Sequence, residues 1–132
     1  MSTTPEDLLN LAQNLSEKSK ESYWRCAVSR GYYAAFHSCL KISPDSIRKA
    51  HVNVHEKLIE WMRSGRDSED ENKLLLAEIG LELDQLRKKR VKADYRLQEF
   101  FHQGDTKVSV LKSFKIINII NHLASKGIQG LR

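Results

Sequence analysis

Two prolines, two cysteines and six glycines in 132 residues leave this chain few points at which to turn sharply or be stapled. Proline breaks helices by removing a backbone donor and crowding the preceding turn, so prolines at positions 5 and 44 alone permit long helical runs. Cys26 and Cys39 fall within one predicted helix, roughly 20 Å apart at 1.5 Å rise per residue, too far for a disulfide. Free, reduced thiols are therefore expected, as in a cytosolic protein. No apolar run approaches membrane-spanning length, and the opening Met1 to Asp7 lacks the basic region and apolar core of a secretory signal. The expectation is a cytoplasmic protein with no membrane partner. A phosphate-cradling glycine loop, a nucleophile elbow, internal repeats and flexible linkers are also missing from the sequence.

What is present suits a single helical domain over residues 1–132. Apolar residues make up 40% and charged residues 30% of a length able to bury a core without staples. The net charge of +5 makes anionic partners plausible, and its distribution says more. Four acids lie within Asp67 to Glu71 and five bases within Arg87 to Lys92, at opposite ends of one helical pattern. Such polarity complements the helix dipole; it also offers Arg87, Lys88, Lys89 and Lys92 as a basic run that could hold a phosphate backbone.

The periodicity predicts an antiparallel bundle of four long helices and one short one, with no sheet. Thr4, Pro5 and Asp7 carry the cap, first-turn proline and capping-box acid of a first helix ending near Lys18, with Leu8, Leu11, Ala12 and Leu15 as its apolar stripe. The second helix spans about Glu21 to Lys41, and its Ala27, Gly31, Ala34 and Ala35 invite close packing. A third, shorter helix runs from about Ser46 or Val52 to Arg63, with Gly65 terminating it. The fourth, from about Ser68 past Tyr95 and as far as Phe101, contains Gly80 as a point of kinking. The fifth runs from near Thr106 to Gly127, and its Val110, Leu111, Phe114, Ile117 and Ile120 predict a central helix or a subunit interface.

One residue breaks the apolar pattern of the fourth helix. Leu76, Ile79, Leu83, Leu86, Ala93 and Leu97 follow three-four spacing, and Arg90 occupies the slot between Leu86 and Ala93. A guanidinium stays charged at any working pH, so Arg90 is either half of an internal ion pair, with Asp94 one turn on, or the floor of a site. In the second helix, Arg30, Tyr33 and His37 share one side of the cylinder, as either an anion site or polar-tipped packing residues. His51 and His55 stand one turn apart without the glutamate or third ligand of a zinc site, so no metal is expected. His51 is expected to pin the third helix, and His55 to be exposed.

The segments SRGYYAAFH, HVNVHEKLIEW and LRKKRVKADYRL, in that order, resemble the small stand-alone members of the HEPN superfamily (higher eukaryotes and prokaryotes nucleotide-binding domain). The resemblance covers roughly residues 5–125, and the ADY segment that follows an arginine is its most specific part. It implies a helical bundle acting as a homodimer, often beside a minimal nucleotidyltransferase antitoxin partner, and in several branches a metal-independent RNA-cutting toxin with no cofactor. The superfamily signature is an arginine followed a few residues later by a histidine. Arg30 with His37, Arg48 with His55 and Arg96 with His102 all satisfy it as text, so context decides. Context matches Arg90, and the expected histidine then falls at Tyr95. A phenol with an ordinary pKa of about 10 is only ~0.1% ionised at neutral pH, which makes it a weak general base.

Under the ribonuclease reading, Arg90 and Arg30 hold the phosphate, His37 moves the proton, and Asp94 and Tyr95 orient them. Arg87, Lys88, Lys89, Lys92, Tyr33 and His51 contact the RNA. Two other readings stand beside it: a non-catalytic module that binds a nucleotidyltransferase or a nucleotide, and a structural dimer in which Arg90 and Asp94 form a buried pair.

Overall fold

A computed structural model describes residues 3–126, which form an all-helical bundle. Thr4 Oγ1 accepts from the Asp7 amide while Asp7 Oδ2 accepts from the Thr4 amide, so the capping box opens α1 (Pro5–Ser16) as the sequence predicts. Its buried residues are Pro5, Leu9, Ala12 and Ser16; of the stripe expected, Ala12 is buried, Leu8 and Leu15 pack partly buried against the core, and Leu11 is exposed. Helix α2 (Glu21–Lys41) has the predicted limits and packs against α1, α5 and α6. The small residues explain how one helix serves three neighbours. A Cβ at Gly31 would sit 3.2 Å from Ser113 Oγ and 3.8 Å from Ala12 Cβ, so the backbones of α1, α2 and α6 approach closely.

The third predicted helix is two pieces, α3 (Asp45–Arg48) and α4 (Val54–Arg63). Asn53 separates α4 from the preceding turns by adopting the left-handed conformation (φ 55°, ψ 39°), which asparagine tolerates better than most residues. Helix α5 (Glu71–Tyr95) is continuous through Gly80. The expected kink is replaced by a packing role: a Cβ at Gly80 would come within 2.9 Å of Met62 Cβ on α4. The face marked by Leu76, Ile79, Leu83, Leu86 and Ala93 is buried, whereas Leu97 lies beyond the helix and is exposed. Helix α6 (Gln103–Ser125) begins three residues before Thr106, with Gly104 inside its first turn. It buries Val110, Ile117 and Ile120 but exposes Leu111 and Phe114, so one face packs on the bundle and the other is open. The predicted terminator Gly127 lies outside the described residues.

Helix α5 stops at Tyr95 instead of reaching Phe101 because Arg25 of α2 takes its terminal carbonyls. Arg25 is buried, and its Nη1 donates to the oxygens of Lys92, Ala93 and Arg96 at 3.0–3.2 Å. Its Nη2 donates to Glu99 O and pairs with Glu21 Oε1. Glu21 Oε1 also accepts from the Phe101 amide at 2.6 Å, and the guanidinium lies 5.1 Å from the Phe101 ring centre. One side chain thus donates to Ala93 O in the last turn of α5 and to carbonyls on either side of it, and ties residues 92–101 to α2.

Two substitutions test this packing. Arg25→Ala removes the shared donor from several carbonyls and leaves Glu21 without its cation; a loss of about 3 kcal/mol in urea denaturation is expected, and a change under about 1 kcal/mol would contradict the cap. Gly80→Ala favours the isolated helix by about 1 kcal/mol yet is expected to lower the melting temperature, since Met62 and Arg63 must give way.

Candidate functional site

The site is built by α2, α4 and α5 around the side chain of Tyr33. Arg25, Ser29, Tyr32, Tyr33, Phe36 and His37 recur at three-four spacing along α2, and the Arg25 cap aligns that stripe with the last turns of α5. Arg90 Nη2 consequently donates to the Tyr33 hydroxyl at 2.5 Å, with the guanidinium 5.1 Å from the centre of the same ring. The Arg30 guanidinium lies 5.5 Å from that ring, and the His37 and His55 rings are centred 6.3 and 6.1 Å from it. Two arginines and two imidazoles therefore surround one phenol.

Arg90 also pairs with Asp94, Nε to Oδ2 at 3.1 Å, a charge contact whose alignment is not that of a hydrogen bond. Ser29 Oγ donates to the same carboxylate oxygen at 3.3 Å. The ion pair expected one turn along α5 thus exists, and Arg90 is held from two directions. Tyr95 is 69% exposed and offers Arg90 only a ring at 5.8 Å from the guanidinium carbon.

The two histidines of the HVNVH segment exchange the roles expected of them. His51 is exposed and precedes α4, whose N-cap is Asn53, so it does not cap the helix. His55, in the first turn of α4, is half-buried: its ring stacks on Phe36 at 4.1 Å, and its Nδ1 lies 2.6 Å from the hydroxyl of the buried Tyr32. Burial pushes the Tyr32 phenol well above its ordinary range, so it stays protonated and donates to neutral His55 Nδ1. The proton of the neutral imidazole then resides on Nε2. Burial first, and then the positive charges of Arg87 and Arg90, hold His55 below its usual pKa. His37 is shifted the same way, by burial and then by Lys41.

The basic run divides. Arg87 pairs with Glu56 at 3.4 Å and, with His51, His55 and Arg48, lines a cavity of about 550 Å³ floored by Phe36 and Leu40. Lys88, Lys89 and Lys92, with Arg87 reaching both sides, line a groove of about 850 Å³ between α5 and α6, shared with Asp84, Glu99 and Asp105. Lys88 is paired with Asp84 at 3.3 Å, and the Lys92 ammonium lies 5.8 Å from the Phe101 ring centre. Among the described residues, no three His, Cys, Asp or Glu side chains gather as metal ligands. Nor is any helix among them long and apolar enough to cross a membrane.

Arg90, Asp94, Arg30, Tyr33 and His37 are thus brought together, while Lys88, Lys89 and Lys92 face elsewhere. The residues missed from sequence are Arg25, Tyr32 and His55. The signal for Arg25 was available: it heads the stripe Val28, Tyr32, Phe36 and Cys39 just as Arg90 interrupts the stripe of α5. His55 likewise stands at three-four spacing from Leu58, Ile59 and Met62 on the buried face of α4, but its partners Phe36 and Tyr32 depend on how α4 crosses α2. Comparison with known families, curated proteins and solved structures finds no match to this chain.

The histidines generate a pH prediction. Their folded pKa lies below the unfolded value of about 6.5, so the unfolded chain binds more protons in mildly acid solution. Their contribution to stability is present above about pH 6.5 and lost as the pH falls through the folded values. NMR titration should find His55 titrating below 6.5, and His55→Gln should reduce the drop in denaturation midpoint between pH 7 and pH 5. A His55 pKa above 6.5 would contradict the site described.

Proposed function

We propose that this chain is a HEPN-like protein that cleaves RNA without a metal ion. The observation that supports this most strongly is the meeting of Arg90, Arg30, His37 and His55 on the Tyr33 ring, from positions up to 60 residues apart in sequence. A guanidinium preset by Tyr33 and Asp94 suits the charge that builds on phosphoryl oxygens. In the reaction a base takes the proton of a ribose 2′-hydroxyl and the oxygen attacks the adjacent phosphorus. The 5′-oxygen then leaves with a proton from an acid, giving a cyclic phosphate and a 5′-hydroxyl end. A neutral imidazole meets this need where Tyr95 does not: His37 is assigned the proton transfers, and His55, whose Nδ1 accepts from Tyr32, can only donate from Nε2. Arg30 and Arg90 hold the phosphate, Asp94 fixes Arg90, and Tyr95 is left as an exposed ring beside it.

A homodimer belongs to the same reading. Its support is the exposure of Val108, Leu111 and Phe114, spaced three residues apart along α6, and of Tyr95, Leu97 and Phe100 at and after the end of α5. The second reading is a non-catalytic module that binds a nucleotidyltransferase antitoxin. It is favoured by Tyr95 in the histidine register, whereas the closed contact of Arg90 with Asp94 favours the structural dimer.

The test is cleavage of a mixed RNA pool by purified protein in EDTA. Cutting is expected to fall at least about 100-fold in the Arg90→Ala and His37→Ala proteins. Cutting unchanged in both variants would overturn the assignment, and intact RNA with folded wild-type protein would favour the partner module.

A further inference from the structure

The cavity at the start of α4 has a composition that RNA cleavage at Tyr33 does not explain. Arg48 enters it from α3, His51 from the turn before α4, His55 from α4 and Arg87 from α5, above the apolar Phe36 and Leu40 and beside Val54. Four cationic or protonatable side chains from four segments thus face one open depression of about 550 Å³, against a single carboxylate, Glu56, on its wall. Both arginines have carboxylate neighbours, Arg48 with Asp45 and Arg87 with Glu56. In each pair the carboxylate is the more exposed member, at 64% against 36% and 58% against 28%. Ion pairs open to water on the acid side are worth little, so an incoming dianion can replace both carboxylates at small cost. Two guanidiniums match the tetrahedral oxygens of a terminal phosphate in a way one ammonium does not. His55 adds an Nε2 donor fixed by its bond to Tyr32. The apolar floor leaves room for the organic group that the phosphate carries.

We propose that this cavity binds a terminal phosphate monoester, with Arg48 and Arg87 as its charge partners and His51 and His55 as hydrogen-bond donors. The site goes beyond RNA cleavage and does not depend on it: Arg87, His51 and His55 are common to the two, but Arg48 has no part in that chemistry. The same chemistry can come from a free nucleoside monophosphate or from the 5′-phosphate of an RNA strand.

The experiment is a titration of the full chain, followed by the imidazole signals of His51 and His55 in NMR and by calorimetry. The probes are pyrophosphate, a nucleoside monophosphate, and one RNA oligonucleotide with a 5′-phosphate or a 5′-hydroxyl. Saturable shifts at both histidines are expected, with binding weakened about tenfold in Arg48→Gln and in Arg87→Gln, the loss of roughly one charged hydrogen bond. A 5′-phosphate that tightens the oligonucleotide more than tenfold identifies a strand end as the ligand; a monophosphate that binds as tightly as the oligonucleotide identifies the free nucleotide. Should Arg87→Gln fail to fold, Arg48→Gln and His51→Gln carry the test, since both positions are exposed. No shift at either histidine with any probe, or affinity that Arg48→Gln leaves unchanged, overturns the proposal. Because RNA cutting is read separately, loss of one activity does not imply loss of the other.

Discussion

A single buried guanidinium sets the geometry on which the rest of this bundle depends. Burying Arg25 without partners would cost several kcal/mol, and the chain avoids that cost by presenting it with carbonyls from the end of α5 and the segment after it. Ala93 O is a carbonyl of the last helical turn, where intrahelical donors run out, so the cation and the helix end each lessen the other's penalty. The result fixes where α5 stops, how it slides along α2, and where Phe101 enters the interior. It also places Arg90 over Tyr33, eight residues further along α2 than Arg25.

Electrostatics within the candidate site follow from this alignment. Arg87 and Arg90 project from one side of α5 toward the aromatic stripe of α2, and their charge reaches His55. The imidazole is kept neutral by burial and by that charge, while the phenol of Tyr32 is kept protonated by burial. A neutral donor and acceptor at 2.6 Å is the arrangement both groups prefer there. Positive charge is thus retained on arginines, which cannot lose it, and excluded from the histidines.

The elements with internal periodicity were legible in the sequence, and the contacts between them were not. The limits of α2, the capping box of α1 and the buried face of α5 follow from local rules, as does the pair of Arg90 with Asp94 one turn apart. The end of α5 was misplaced because the group that terminates it lies some 70 residues earlier in the chain. His55 was expected at the surface because its stacking on Phe36 and its bond to Tyr32 arise only when α4 crosses α2. Gly80 read as a weakness in a helix, whereas the approach of α4 makes it the residue that fits. Leu111 and Phe114 read as part of a face that is either central or a subunit interface, because periodicity marks an apolar face without naming what covers it; in the bundle they are exposed.

Amide hydrogen exchange compared between the native chain and Arg25→Met tests the central claim most directly. If the guanidinium cap fixes the end of α5, exchange should accelerate about 100-fold over residues 92–101 and at Arg90 and Asp94, while α1 and the first turns of α5 keep their protection. Unchanged protection across residues 90–101, or an equal loss throughout the bundle, would contradict it.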